Sequence, residues 1–235
     1  MRVLRMRLEA PLMSFGGTVI DNYGVTREFP SLSMVTGLLA NALGWDRSEA
    51  AAHGRLQDRI RMGVTQDRVG ERLEDYQTVD LGQSFLVGTG WTTRGEVAER
   101  GGASSEGTHI RFRSYLCDAS YTVALRLEPA DESPTVEELL AALHEPARPL
   151  FIGRKPCLPS GPIGLDVVEV SDLGAALASA PREVHGDAAK VLGQWTDGEG
   201  EGRAVRLTDE RDWANQIHVG QRIVREGWIP LGGKP

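Results

Sequence analysis

The chain is 235 residues long, 40% hydrophobic, 25% charged and 6% aromatic, with a formal net charge of -7. That length corresponds to one large domain or two small ones able to bury a core, and the composition excludes a disordered or fibrous protein. The acidic balance speaks against a protein that coats nucleic acid without selectivity, and Cys117 and Cys157, with no CxxC or Cys/His cluster, argue against a disulfide framework or a zinc site.

Arg2, Arg5 and Arg7 break the apolar run that a secretory leader needs, so the expected location is the cytoplasm. Residues 3–9 alternate Leu4, Met6 and Leu8 with Arg5, Arg7 and Glu9, the period of a strand with one buried face. Pro11, Gly16, Gly17, Asp21-Asn22 and Gly24 make residues 10–30 a long loop. From Ser33 the apolar residues Met34, Leu38, Leu39 and Ala42 recur at helical spacing, with Ser31 or Ser33 as N-cap and Gly44 as the stop. This helix falls in the longest uncharged stretch, residues 29–45, which is too short and too polar to span a membrane. Asp46 to Glu49 spells a capping box for a second short helix through Leu56. Ile60, Met62 and Val64 alternate as a strand.

Between Asp80 and Gly107 seven glycines surround Phe85, Leu86, Val87 and Trp91, after which Ile110, Phe112 and Tyr115 alternate with Arg111 and Arg113. This predicts a long hairpin, or thumb, projecting from the sheet at about residues 80–115. Tyr121, Val123, Leu125 and Leu127 form the clearest strand. Thr135 and Glu138 open a helix with Val136, Leu139, Leu140 and Leu143 on its apolar face, and residues 164–170 form a last strand. Strand, helix, strand, strand, helix, strand is the ferredoxin-like (RRM-type) order, so the expected class is α+β with that domain over residues 1–170. Residues 171–235, a short helix and weak strands divided by the Gly/Asp/Glu-rich turn 197–202, are expected to form a small β-rich appendage.

No Walker loop, GxGxxG, HExxH, GxSxG or EF-hand pattern is present, and the five histidines lack ligand spacing, so neither a metal nor a cofactor is expected. His144 sits where a cation complements a helix dipole. His109 lies beside Arg111, Arg113 and Tyr115, and a His with Tyr and Lys nearby can cleave RNA without metal by acid/base chemistry on the 2′-hydroxyl. The charge is unevenly placed. Residues 1–130 carry 15 positive and 16 negative groups, residues 131–215 carry 8 and 16, and residues 216–235 carry 3 and 1. Of the 26 basic residues only Lys155, Lys190 and Lys234 are lysine, an arginine excess that suits phosphate recognition or merely reflects base composition. Residues 146–165 hold Arg148, Arg154 and Lys155 with no acidic residue, and their prolines and glycines make a stiff cationic loop, either a phosphate site or a solvated turn. Aromatics between arginines in residues 110–116 fit single-stranded RNA. The RNP1 consensus is absent, so the sheet face itself is not the expected platform.

Five stretches carry a family likeness: Leu8-Glu9-Ala10-Pro11-Leu12-Met13-Ser14-Phe15-Gly16; Arg27-Glu28-Phe29-Pro30-Ser31 followed by Gly37-Leu38-Leu39; Asp75-Tyr76-Gln77-Thr78-Val79; Tyr115-Leu116-Cys117-Asp118-Ala119-Ser120-Tyr121; and Gly153-Arg154-Lys155-Pro156-Cys157. In these, over about residues 1–170, the chain resembles the RAMP proteins of CRISPR systems, and among them the CasD subunits of type I-E Cascade. The resemblance implies a non-catalytic RNA-binding scaffold in antiviral defence. Such a subunit caps the 5′ handle of the CRISPR RNA, joins the Cascade backbone subunits to the large subunit, and meets target DNA only through the complex. By position it implies RNA contacts for Arg27, Ser33 and Gly37 at the first helix, for His109, Arg111 and Arg113 at the thumb base, and for Arg154 and Lys155. Phe85 and Trp91 in the thumb are the expected partner contacts. Similar type I-C members cleave precursor RNA with a Tyr/Lys/His set. This chain has Thr108-His109 where that set needs an adjacent Lys-His pair, which argues against cleavage and leaves a metal-independent endoribonuclease as the alternative.

Overall fold

A computed structural model of the protein describes all residues except 18, 20, 82, 84–88, 92–95, 100–106, 183–188 and 232–235, and the side chains of 89, 91, 98 and 99. In chain order the N-terminal elements are β1 (Arg2–Glu9), β2 (Leu12–Met13), β3 (Tyr23–Gly24), α1 (Leu32–Leu43), α2 (Ala50–Arg59), β4 (Ile60–Arg68), β5 (Glu71–Asp80), β6 (Thr89–Trp91) and β7 (Val97–Glu99). There follow β8 (Thr108–Cys117), β9 (Ser120–Leu127), α3 (Val136–His144), β10 (Gly164–Glu169), α4 (Leu173–Ala178), β11 (Lys190–Thr196), β12 (Arg203–Leu207), β13 (Glu210–Asp212), β14 (Ile217–Val219) and β15 (Arg222–Pro230).

The helices form where their caps are encoded. Ser31 accepts a hydrogen bond from the Met34 amide, and Gly44 closes α1 in the left-handed region at φ 82°. Both halves of the Thr135/Glu138 capping box are made at α3. The Asp46/Glu49 box is only half made. The Glu49 carboxylate accepts from the Asp46 amide at 2.5 Å, but the Asp46 carboxylate is taken by Arg148 at 2.6 Å, and α2 starts at Ala50.

Seven strands form one antiparallel sheet in the order β10-β1-β9-β4-β11-β15-β12. On one face Leu4, Met6 and Leu8 meet α1 and α3 in the main core, which also holds Phe15, Tyr121, Leu125 and Leu139. The other face is covered too, unlike the expectation of a single buried side for β1. There Leu173 and Leu177 of α4 pack with Val3, Ala124, Val191, Trp195 and Ile229. Arg5, pointing to that side, is only 7% exposed because Asp166 on β10 accepts from its Nε at 2.6 Å and its Nη2 at 2.5 Å. The C-terminal strands do not stand apart from the sheet: β11 hydrogen-bonds to β4 and carries β15 and β12 beyond it.

A second sheet is built on β8. One edge pairs with β5 over the whole strand, from Glu71↔Cys117 to Asp80↔Thr108, and the other edge pairs with β2 and β3. Antiparallel pairing in this region therefore begins at Glu71, earlier than the residue 80 expected for a hairpin. β5 escapes periodicity analysis because nine of its ten residues are exposed, so no buried face imposes an alternation. Beyond these arms β6 pairs with β7. Phe85 and the Trp91 side chain lie outside the described residues.

Candidate nucleic-acid interface

A cleft of about 360 Å³ opens between α1, the loop after β2, the loop at Phe151–Arg154 and the β13–β14 turn. Two loops must touch to form its floor. The Ser14 amide donates to the Ile152 carbonyl at 3.3 Å, and Gly153 at φ +90° lies so close that a Cβ there would fall 1.5 Å from the Ser14 carbonyl oxygen. Only glycine fits that position.

Four of the eight expected RNA-contact residues line this cleft: Arg27, Ser33, Gly37 and Arg154. Arg27 Nη2 donates to the Thr208 carbonyl at 2.8 Å, tying the loop before α1 to the C-terminal region. Arg154 Nη1 donates to the Ser114 carbonyl at 3.0 Å, Nη2 to the Gly24 carbonyl at 2.9 Å, and the guanidinium lies 4.7 Å over the Tyr115 ring. Ser33 is 7% exposed, its amide donating to the Asp209 carbonyl. Gly37 faces Trp213 across the cleft.

The N-terminus of α1 is occupied by the protein's own anion. Asp209, fully buried, accepts from the Leu32 amide at 2.9 Å and from Arg222 Nε and Nη2 at 2.7 and 2.8 Å. Burial pushes its carboxyl upward, but the Arg222 hydrogen bonds and charge, the Leu32 amide and Arg27 together hold it below the usual range. A phosphate therefore has no seat at this helix end.

The other four residues lie elsewhere. By strand alternation His109, Arg111, Arg113 and Tyr115 share one face of β8. Arg113 crosses Gly24, where a Cβ would fall 2.4 Å from its Nη1, and so adjoins Arg154. Lys155 is exposed one residue beyond Arg154. Tyr115 is 4% exposed and six positions from His109 along a single strand, a span of about 20 Å. These two do not share a site. Arg148 turns inward, donating to the Gly44 and Trp45 carbonyls and to Asp46 at the end of α1.

The cleft also holds residues that sequence reasoning missed: Arg47, His53, Arg211, Trp213 and His218. Trp213 donates from Nε1 to Gln57 Oε1 at 3.2 Å, and its ring lies 4.7 Å from the His53 ring and 5.6 Å from the Arg211 guanidinium. Gln57 also accepts from the Arg211 amide at 3.0 Å and donates to the Arg211 carbonyl at 3.2 Å. The signal for Arg211 was hidden by the acidic average of residues 131–215, and nothing in spacing connects it to Arg47. Taken together, four arginines and two histidines line the cleft with no aspartate or glutamate. Such a lining attracts phosphates. Burial pushes the Cys117 and Cys157 thiols up, so neither is an activated nucleophile. Among the described residues no group of three or more His, Cys, Asp or Glu is placed to hold a metal, and no helix is long and apolar enough to cross a membrane.

Residues 3–225 match the family of CRISPR-associated Cas5 proteins. The chain belongs to that family. It is 30% identical over 174 residues to the CRISPR system Cascade subunit CasD of Escherichia coli (strain K12), covering 74% of this chain and 75% of that protein. A solved chain from a CRISPR RNA-guided surveillance complex shares its fold with a TM-score of 0.72 at 26% identity, covering 98% of this chain and 91% of that one. A structure titled "Crystal structure of Cas protein" gives a TM-score of 0.65 at 29% identity, covering 97% of this chain and 95% of that one. The Cas5 match includes β11 to β14, beyond residue 170 where the recognisable sequence stretches stop. The C-terminal strands thus belong to the family's common body.

Proposed function

We propose that this Cas5 protein is a non-catalytic guide-RNA-binding scaffold subunit of a CRISPR Cascade surveillance complex. It caps the 5′ handle of the CRISPR RNA and joins the backbone subunits to the large subunit, reaching target DNA only through the complex. The carboxylate-free arginine cleft carries this reading. A single strand is gripped through its phosphates by fixed guanidiniums, and a body of net charge -7 needs only a local cationic groove to hold one strand. The strand order β10-β1-β9-β4, with α1 and α3 on one face, supports a ferredoxin-like unit. In an RRM the open sheet face stacks bases, whereas here α4, Trp195 and Ile229 cover it, which directs RNA to the cleft and the ribbon base instead. The β5–β8 ribbon is the candidate thumb, and Phe85 and Trp91 are the proposed partner contacts.

The test is co-expression of the chain with the other complex subunits and a guide transcript, followed by absorbance at 260 nm and sequencing of the bound RNA. The expected result is a repeat-derived 5′ end retained by the complex. Arg111→Ala and Lys155→Ala are expected to reduce that retention, more at high salt than at low, because screening weakens the remaining contacts. A nucleic-acid-free assembly, or a 5′ end lying away from this subunit, overturns the assignment.

A further inference from the structure

We propose that Arg47 and Arg211 form a subsite for one phosphodiester of the RNA strand in the cleft, with Trp213 and Gln57 as positioning residues for Arg211. The inference rests on the RNA-binding reading and deepens it, because it brings into the site a hairpin from the acidic third of the chain. Arg211 lies on β13, and the hydrogen bonds of its guanidinium run from Nη2 alone, to the carbonyl and side-chain oxygens of Gln216 at 3.0 and 2.8 Å. Its Nε is buried without a hydrogen-bond partner among the described residues. Leaving such a donor unmatched is costly, so its retention needs a compensating role.

The neighbouring charge sharpens the point. Arg47 lines the same cleft, is exposed, and has no carboxylate partner among the described residues. Burial, and then the Arg47 charge, lower the Arg211 pKa. Two guanidiniums that repel across a groove without a carboxylate are held at an energetic cost, and an anion between them turns that repulsion into two attractions. The Trp213 ring beside Arg211 and the Gln57 amide gripping the Arg211 backbone fix the guanidinium in advance, which reduces the entropy lost on binding. A phosphate oxygen meets the uncommitted Nη1 group of Arg211 and the exposed cation of Arg47. A single carboxylate-bearing ligand is disfavoured because Arg27 and Arg154 add two more guanidiniums to the same cleft, a lining suited to a polyanion.

The test is binding of the full chain to a fluorescent single-stranded RNA of the repeat-derived 5′ sequence, measured by anisotropy across a salt series. Arg47→Gln and Arg211→Gln are each expected to weaken binding about tenfold and to reduce the salt slope by about 0.7, the value of one phosphate on a single strand. The double variant is expected to match the weaker single variant, because one phosphate serves both side chains. Arg211→Lys should keep the slope and lose part of the affinity, since it retains charge without the planar fork. Arg47 is exposed, so Arg47→Gln tests the idea even where Arg211 variants unfold. Inorganic phosphate serves as the free-anion arm. If it shifts the Arg211 Nε–H resonance as far as RNA does at equal concentration, the site takes a free anion and the proposal fails. Unchanged affinity and slope in both variants, or additive losses in the double, also overturn it while leaving RNA binding intact. A wild-type chain that binds no RNA overturns the function itself and the subsite with it.

Discussion

Asp209 and Asp67 are both almost wholly buried, yet their carboxyls move in opposite directions. At Asp67 burial dominates and raises the pKa despite Arg182 at 3.0 Å and the Thr122 and Thr65 hydroxyls. At Asp209 the bidentate Arg222, the Leu32 amide and Arg27 outweigh burial and lower it. The consequences for stability have opposite signs. A carboxyl lowered in the folded state stabilises above its unfolded pKa, and that contribution is lost as pH falls through the folded value. One raised in the folded state favours folding only while protonated and weakens it as pH rises. Asp209→Asn removes the charge between Arg222 and the α1 N-terminus and is expected to lose about 3 kcal/mol at neutral pH, the range for breaking a buried pair. Thermal unfolding of the variant between neutral and acid pH should show a flatter acid limb than wild type. An unchanged limb assigns acid sensitivity elsewhere.

Among the elements, α1 and α3 are legible in the sequence because their termination chemistry is local: Ser31 with Gly44, and Thr135 with Glu138. Thr135→Ala removes the acceptor for the Glu138 amide and is expected to cost about 1 kcal/mol, read as a lower urea midpoint with an unchanged slope. A larger loss with a changed slope indicates that α3 nucleates more than its own first turn. The Asp46/Glu49 box fails because a distant residue, Arg148, competes for the Asp46 carboxylate, which spacing cannot show. β5 fails for a different reason. Its partner β8 supplies hydrogen bonds along the full strand, but solvent lies on both sides, so the backbone rather than side-chain burial defines it. Tyr23 and Tyr76 flank Phe112 on this ribbon at 4.9 and 5.4 Å, contacts among three segments that no single stretch announces.

At the level of the entire chain, residues 171–235 complete what the first 170 begin. β11 covers the edge of β4, α4 and Trp195 cover Val3 and Ala124, and Asp209 caps α1. A fragment ending at residue 170 is therefore expected to lack a cooperative thermal transition and to bind a hydrophobic dye, because it exposes a strand edge and an apolar face together. A sharp transition in that fragment refutes this dependence. The candidate site shares it: Arg27, Ser33, Gly37 and Arg154 were identified from the N-terminal part, but the wall that makes a cleft of them comes from β13 and β14.

Composition, strand and helix periodicity and cap residues were enough to determine an α+β chain and, within its first two-thirds, β1, α1, α2, β4, β9 and α3, while five short stretches carried the likeness to CRISPR-associated proteins. These are local signals, written within a few residues of where they act. Tertiary structure alone decided that Asp209 closes the helix end, that both sheet faces are covered, and that Arg47 and Arg211 line one cleft. Each of these joins residues distant in sequence through burial and charge, forces that act across space and leave no period along the chain.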